Sequence, residues 1–229
     1  MTNLQGRTPD EWERIEREEH DKEYADSRPF DSPDYRIDPQ RVIWWEDYCF
    51  KKGRRRDRGH RTRRVFELIK LDSLPGKRVL DVGCGNGQYS VFFAMLGAEA
   101  YGCDITPVGI EVAKRIAATN GVANRCRFSV QNAASLSYPD DYFDVVFLHE
   151  VLHHAIKYPG VVDEIRRVLK PGGTVVVAES VDGNPLFRLG RRISMRGKEA
   201  LGDVVLDRRD IEAFGRNFRH ARLEMMSLL

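Results

Sequence analysis

Residues 79–88 read VLDVGCGNGQ, Val79 through Gln88, and this stretch decides the fold. RVLDVG is a short apolar run of the kind that makes a strand buried on both faces. Gly83, Gly85 and Gly87 follow at once, and GQYSVFFAMLG after them reads as a helix closed by Gly97. Glycines between a strand and a helix let the backbone turn tightly and approach a ligand closely. The helix that follows offers free N–H groups and a positive dipole end. Such a loop alone is compatible with a plain tight turn. A second signal narrows it: Asp104 ends the next strand, AEAYGCD, 21 residues after Gly83. A carboxylate there can accept hydrogen bonds from ribose hydroxyls, so the pair indicates a nucleoside-containing cofactor. The dinucleotide pattern G-x-G-x-x-G is not met. Gly87 comes one position early, and Gln88 sits where the third glycine belongs.

Outward from this core the alternation continues. Pro107 to Asn120 reads as a helix capped by Thr106 and closed by Gly121. RCRFSVQ is a third strand and FDVVFLH a fourth. VVDEIRRVLK is a helix stopped by Pro171-Gly172-Gly173, and TVVVAES is a fifth strand. Strands alternating with helices at this spacing predict an α/β fold with a doubly wound, mostly parallel sheet. Residues 73–229 are expected to form this domain and residues 1–72 an N-terminal helical extension that serves as a lid over the cofactor. In the extension, Thr8-Pro9-Asp10-Glu11 is a capping box opening a polar helix to about Tyr24. A Pro- and Asp-rich loop over 25–40 follows, then short helices over Arg41–Phe50 and Arg61–Leu71. Residues 181–206 read as irregular and basic, DRRDIEAFGRNF as a last helix, and HARLEMMSLL as a sixth strand.

The ordered motifs resemble those of class I S-adenosylmethionine-dependent methyltransferases, of the ubiquinone-menaquinone or type 11 kind. VLDVGCGNGQ resembles their first motif and YGCDITP their acidic second. QNAASLSYPDDYFDVVFLHEVLHH and RRVLKPGGTVVVAES resemble the later segments, so the likeness covers residues 75–180. It implies a Rossmann-like sheet of seven strands in the order 3-2-1-4-5-7-6, with S-adenosyl-L-methionine as cofactor. By the resemblance, Asp81, Gly83, Cys84, Gly85 and Gly87 belong to the loop beside the methionine part. Asp104 takes the ribose hydroxyls, Ile105 lies against the adenine, and Asn132 and Ala133 border its edge. Leu148 and His149 begin the loop facing the methionine amine and the acceptor. The family usually carries aspartate where this chain has Asn132. An amide oxygen can still accept the adenine amino hydrogen. Seven strands are more than the sequence supplies, so a truncated last strand is expected at the C-terminus.

Methyl transfer from a sulfonium has a neutral leaving group, so alignment is the main demand on the protein. A base is needed only where the acceptor holds its proton tightly. His149, Glu150, His153 and His154 are the candidates, beside a reading in which the histidines only pack or cap. No metal is expected, because no cysteine–histidine group has ligand spacing. Tyr24, Trp44, Trp45 and Tyr48 are candidates for an aromatic wall against the acceptor, or for ordinary core.

Charge and composition bound the rest. The net charge of +2 hides an acidic stretch at 1–40 and a basic block, KKGRRRDRGHRTRR, at 51–64. That block and residues 188–196 are expected either as solvated surface or as a peripheral contact with anionic membrane or phosphate. No apolar run nears the roughly 18 residues of a membrane span. The N-terminus lacks a signal-peptide core and the cysteines form no pair pattern, so a cytoplasmic, reduced protein is expected. The activity expected is methyl transfer to a small-molecule or lipid-like acceptor, at oxygen. The alternatives are an RNA methyltransferase, with nucleic acid disfavoured for want of an RNA-binding module, and a cofactor-binding scaffold without catalysis. The oligomeric state is not legible.

Overall fold

Arg78–Val82 forms β1, buried from Val79 onward because helices cover both faces of the sheet. The computed structural model describes residues 8–26, 35–39, 59–181 and 206–224. Around β1 run β2 (Glu99–Asp104), β3 (Cys126–Val130), β4 (Phe143–His149) and β5 (Leu169–Ala178). All pair in parallel in the order β3-β2-β1-β4-β5. The connecting helices are α3 (Gln88–Met95), α4 (Pro107–Thr119), a single turn α5 (Leu152–Ala155) and α6 (Val161–Val168). The N-terminal helices are α1 (Pro9–Asp26) and α2 (Gly59–Ile69), and α7 (Arg208–Gly215) follows the sheet. The doubly wound expectation and the first five strands of the expected order are met.

Alternate residues of one strand serve the two faces. Leu80, Val82, Val146 and Leu148 pack with Ile165, Leu152 and Trp12 on one side. Val79, Val145 and Phe147 pack with Phe92, Phe93 and Phe66 on the other. β1 is the switch point, with β2 on one side and β4 on the other, so a crevice opens at the carboxyl ends of the strands.

Local signals are obeyed with three exceptions. The capping box at α1 forms: Thr8 N–H donates to Glu11 Oε2 at 2.7 Å, and Glu11 N–H to Thr8 Oγ1 at 3.3 Å. Asp207 and Asp210 cap α7 in the same reciprocal way. Thr106 occupies the N-cap position of α4, but its hydroxyl does not cap. It donates to Asp104 Oδ1 at 2.6 Å, because the carboxylate is the stronger acceptor. The helix expected through Lys170 stops at Val168. Leu169 is already extended and pairs with Phe143, and the register then jumps so that Thr174 faces Val145. Lys170-Pro171-Gly172-Gly173 is therefore a bulge inside β5, where a proline without an N–H can sit. The sixth strand expected over 220–229 is absent from 220–224, which carry no strand; residues 225–229 lie outside the described ones. The expected helix at 41–50 and the basic segments 51–58 and 188–196 also lie outside them. No helix among the described residues is long and apolar enough to cross a membrane.

Candidate functional site

The carboxyl ends of β1, β2 and β4 meet beside the glycine loop. Gly83, Gly85 and Gly87 all adopt positive φ, at 68°, 53° and 73°. The N–H groups of Gly83 and Cys84 both donate to the Cys103 carbonyl, at 2.8 and 3.0 Å, which ties the loop to β2. A Cβ at Gly83 would lie 2.1 Å from Val151 Cγ2, and one at Gly85 2.3 Å from Tyr24 Oη. Side chains are thus excluded by close approach as well as by conformation.

Asp104 sits at the loop's edge with its side chain nearly enclosed. Its Oδ2 accepts from Gly85 N–H at 2.8 Å, and Oδ1 accepts from Thr106 N–H at 2.9 Å. Asp81, one strand over, is buried and accepts from Ser90 Oγ at 2.7 Å. Burial, with a smaller push from the nearby Asp104 charge, raises the Asp81 carboxyl to about 7.

A cavity of about 110 Å³ opens between the strand ends and α1. Gly83, Asp104, Ile105, Asn132, Ala133, Glu150 and His154 line it among the residues singled out from sequence. Leu148 is instead wholly buried in the core, and Cys84 lies behind the loop beside Gly102. Asp81, Gly85, Gly87, His149 and His153 do not line it either; Gly85 lies under Tyr24, and Gly87 faces Ala113 and Phe128. His149 stacks near Tyr89, 3.3 Å from its hydroxyl, and burial lowers its pKa against the opposing effect of Glu150. His153 turns away, its Nδ1 2.6 Å from Glu179 Oε1. Of the aromatic residues expected to wall the acceptor, Tyr24 lies over the glycine loop; Trp44, Trp45 and Tyr48 lie outside the described residues.

The expectation of no ligand cluster is corrected in one respect. Glu150, His153 and Glu179 bring candidate metal-ligand atoms within 4.8 Å of one another. Spacing in the sequence hides this, because Glu179 follows β5 while the other two follow β4. Each member already has a protein partner: Glu179 Oε2 accepts from Leu152 N–H at 2.8 Å, and Glu150 accepts from Ser180 Oγ at 2.7 Å.

On α1, Tyr24 was singled out from sequence, but Glu16 and His20 were not. Glu16, His20 and Tyr24, on one face at four-residue spacing, all reach the cavity. Glu16 has a side chain only 3% exposed and accepts from Lys157 Nζ and from Tyr158 Oη, the latter at 2.7 Å. Its Oε1 is 3.6 Å from His154 Nδ1. Burial alone would raise the Glu16 carboxyl, but His154, Lys157 and Tyr158 together hold it below its ordinary value. Nearby, Glu13 accepts from Asn132 Nδ2 at 2.6 Å, and Asp21 from Val108 N–H at 3.1 Å. The repeat of Trp12, Glu16, His20 and Tyr24 was the available signal, masked by the abundance of charge on every other face.

Residues 73–209 match the family model described as a methyltransferase domain. The chain is 35% identical over 121 residues to the methyltransferase GfsG of Streptomyces halstedii, covering 52% of this chain and 43% of that one. It is 34% identical over 134 residues to the demethylmenaquinone methyltransferase of Clavibacter sepedonicus, covering 58% and 54%. The solved structure of the Bacillus subtilis YcgJ protein superposes with a TM-score of 0.56 at 28% identity, covering 66% of this chain and 65% of that one. The chain spans about a third to a half of the length of the first curated relatives it matches.

Proposed function

The chain belongs to the methyltransferase-domain family, of the class I S-adenosylmethionine-dependent kind, and from that premise we propose that it transfers a methyl group to a small-molecule or lipid-like acceptor, at oxygen. The observation that carries the reading is the cavity itself. The enclosed Asp104 carboxylate and Gly83, where a side chain would clash, line it together with Ile105, Asn132 and Ala133. These residues fit a nucleoside cofactor: an anionic acceptor for ribose hydroxyls, a close-approach loop, and an apolar face for a base. S-adenosylmethionine supplies the electrophilic methyl carbon when bound.

The chain's own groups do the rest. Asp104 holds the ribose, Ile105 packs on the adenine, and Ala133 borders its edge. Gly83 gives room to the methionine part, and Gly85 and Gly87 let the loop turn behind it. His154, facing the cavity with Glu16 behind it, takes the proton of an acceptor hydroxyl. Glu150 lines the same cavity, and His153, next to His154 in sequence, is held by Glu179. Helix α1 acts as a lid. It brings Glu16, His20 and Tyr24 to the cavity from the side opposite the strand ends. The demethylmenaquinone and sterol relatives support an apolar acceptor.

Calorimetry tests the cofactor: S-adenosylhomocysteine binds and NAD does not, and tight NAD binding would refute the reading. Incubation with labelled S-adenosylmethionine and either a metabolite extract or total RNA tests the acceptor. Label is expected in an organic-soluble small molecule; label in RNA, or none anywhere, overturns it.

A further inference from the structure

His154 has two ring nitrogens, and only one of them can do the work of a base. Its Nδ1 is buried, 3.6 Å from Glu16 Oε1, while the residue itself lines the cavity. A proton from an acceptor in the cavity can be taken only at Nε2, and Nε2 must be bare to take it. A neutral imidazole carries one proton, so Nδ1 must hold it. Free histidine prefers the opposite arrangement, with the proton on Nε2. In a folded protein the choice is set by what the other nitrogen faces.

Glu16 makes that choice. Lys157 Nζ and Tyr158 Oη both donate to it. Burial pushes its carboxyl up, but His154, Lys157 and Tyr158 together hold it below its ordinary value, so it stands ionised. An ionised carboxylate only accepts. At 3.6 Å the contact with Nδ1 is too long for a full hydrogen bond, and it acts through charge. A proton on Nδ1 is drawn to the carboxylate, whereas a lone pair there is repelled. The side chains of Glu16 and Lys157 are each 3% exposed, so water screens this charge little. The rings of His153 and His20 also lie against His154, with centroids 4.0 and 5.1 Å away, and neither brings a negative charge.

We infer that Glu16 is a positioning residue for the base: from α1 it holds His154 in the tautomer with the proton on Nδ1 and a bare Nε2 at the cavity. The inference rests on the reading of His154 as that base. When an acceptor hydroxyl gives its proton to Nε2, the ring becomes an imidazolium with a proton on each nitrogen, and nothing need leave Nδ1. The histidine that follows β4 thus takes its reactive form from a segment outside the βα core.

The test is nuclear magnetic resonance of the full chain with isotope-labelled histidine nitrogens, at about pH 8.5, where histidines of ordinary pKa are neutral. Chemical shift separates a ring nitrogen that carries a proton from a bare one. H154Q identifies the His154 signals by their loss. His153, whose Nδ1 lies 2.6 Å from Glu179 Oε1, is an internal reference for a ring with its proton on Nδ1. The proteins compared are wild type, E16Q and E16M/K157M; the last removes both members of the buried pair and strands no charge. Wild type is expected to show His154 with its proton on Nδ1. E16Q reduces the share of that form, because the charge is gone while the packing is kept. E16M/K157M makes the Nε2–H form the major one. The His149 and His220 signals stay in place in both, as the control for folding. A wild type whose His154 carries its proton on Nε2 overturns the inference. So does a His154 that keeps its Nδ1 proton in both variants while His149 and His220 are unmoved, since another group then sets it. If E16M/K157M does not fold, E16Q decides alone on the same terms. The measurement needs neither cofactor nor acceptor, so its failure leaves the methyl-transfer reading standing. Failure of that reading shows instead in the calorimetry with S-adenosylhomocysteine.

Discussion

Asp104 and Asp81 lie at the ends of neighbouring parallel strands, and their surroundings give them opposite work. Asp104 is met by three protein donors, Gly85 N–H, Thr106 N–H and the Thr106 hydroxyl. A carboxylate has roughly four acceptor positions, so it can both hold the loop and take a ribose hydroxyl. Asp104→Ala is expected to weaken S-adenosylhomocysteine binding about tenfold or more, from charge-assisted bonds of about 1.5–3 kcal/mol. An unchanged Kd with an intact circular dichroism spectrum would count against the assignment. Asp81 has one side-chain donor, Ser90, and no access to water. Its pKa rises on folding from 3.8 to about 7. A raised acid destabilises the fold once it must ionise: nothing is lost below the unfolded value, and stability falls as pH climbs through the folded one. Asp81→Asn should therefore gain on wild type in urea denaturation between about pH 4 and 7, with a constant difference above that. A pH-independent difference would show that Asp81 is ionised throughout. Asp104 was legible in the sequence because a strand end fixes its place. Its protein partners were not, since they depend on how the loop folds back.

Helix α1 is held by Trp12 in the core and by a set of polar groups. Glu16 reaches Lys157 and Tyr158, Glu13 reaches Asn132, and Asp21 reaches the first turn of α4. Breaking a buried ion pair by removing one partner costs about 3–5 kcal/mol, because the other charge is left stranded. Glu16→Ala removes the carboxylate partner of Lys157, whose side chain is 3% exposed. Hydrogen exchange should then quicken across residues 9–26 while β1 and β4 keep their protection. Unchanged exchange in α1 would mean that Trp12, not Glu16, seats the helix. The βα alternation could be read because each strand and helix announces itself by local period and by glycine closure, as at Gly97 and Gly121. Two elements could not. The Lys170–Gly173 bulge looks like a helix stop, since Pro-Gly-Gly ends a helix and interrupts a strand with the same residues. The cavity face of α1 reads as solvent-exposed, because charged residues are ordinarily exposed unless a distant partner buries them.

For the molecule as a whole, stability resides in the sheet and its two apolar layers. Phe147 is fully buried in the middle of β4, ringed by Phe93 and Tyr89. Phe147→Ala should cost about 3–5 kcal/mol of global stability, read as one lowered thermal transition, in contrast to the local loosening expected of Glu16→Ala. A loss confined to α1 would contradict the sheet as the common core. The Glu16 contacts also bear on how the chain is made. Glu16 and its partners Lys157 and Tyr158 are 141 and 142 residues apart in sequence. At roughly 5–20 residues per second on the ribosome, α1 waits on the order of ten seconds or more before its partners exist. A strongly apolar helix left bare for that interval would invite aggregation. The charge of PDEWERIEREEHDKEYAD keeps it soluble meanwhile, so the same polarity that hides the segment's role in the sequence lets a helix made early wait for partners made much later.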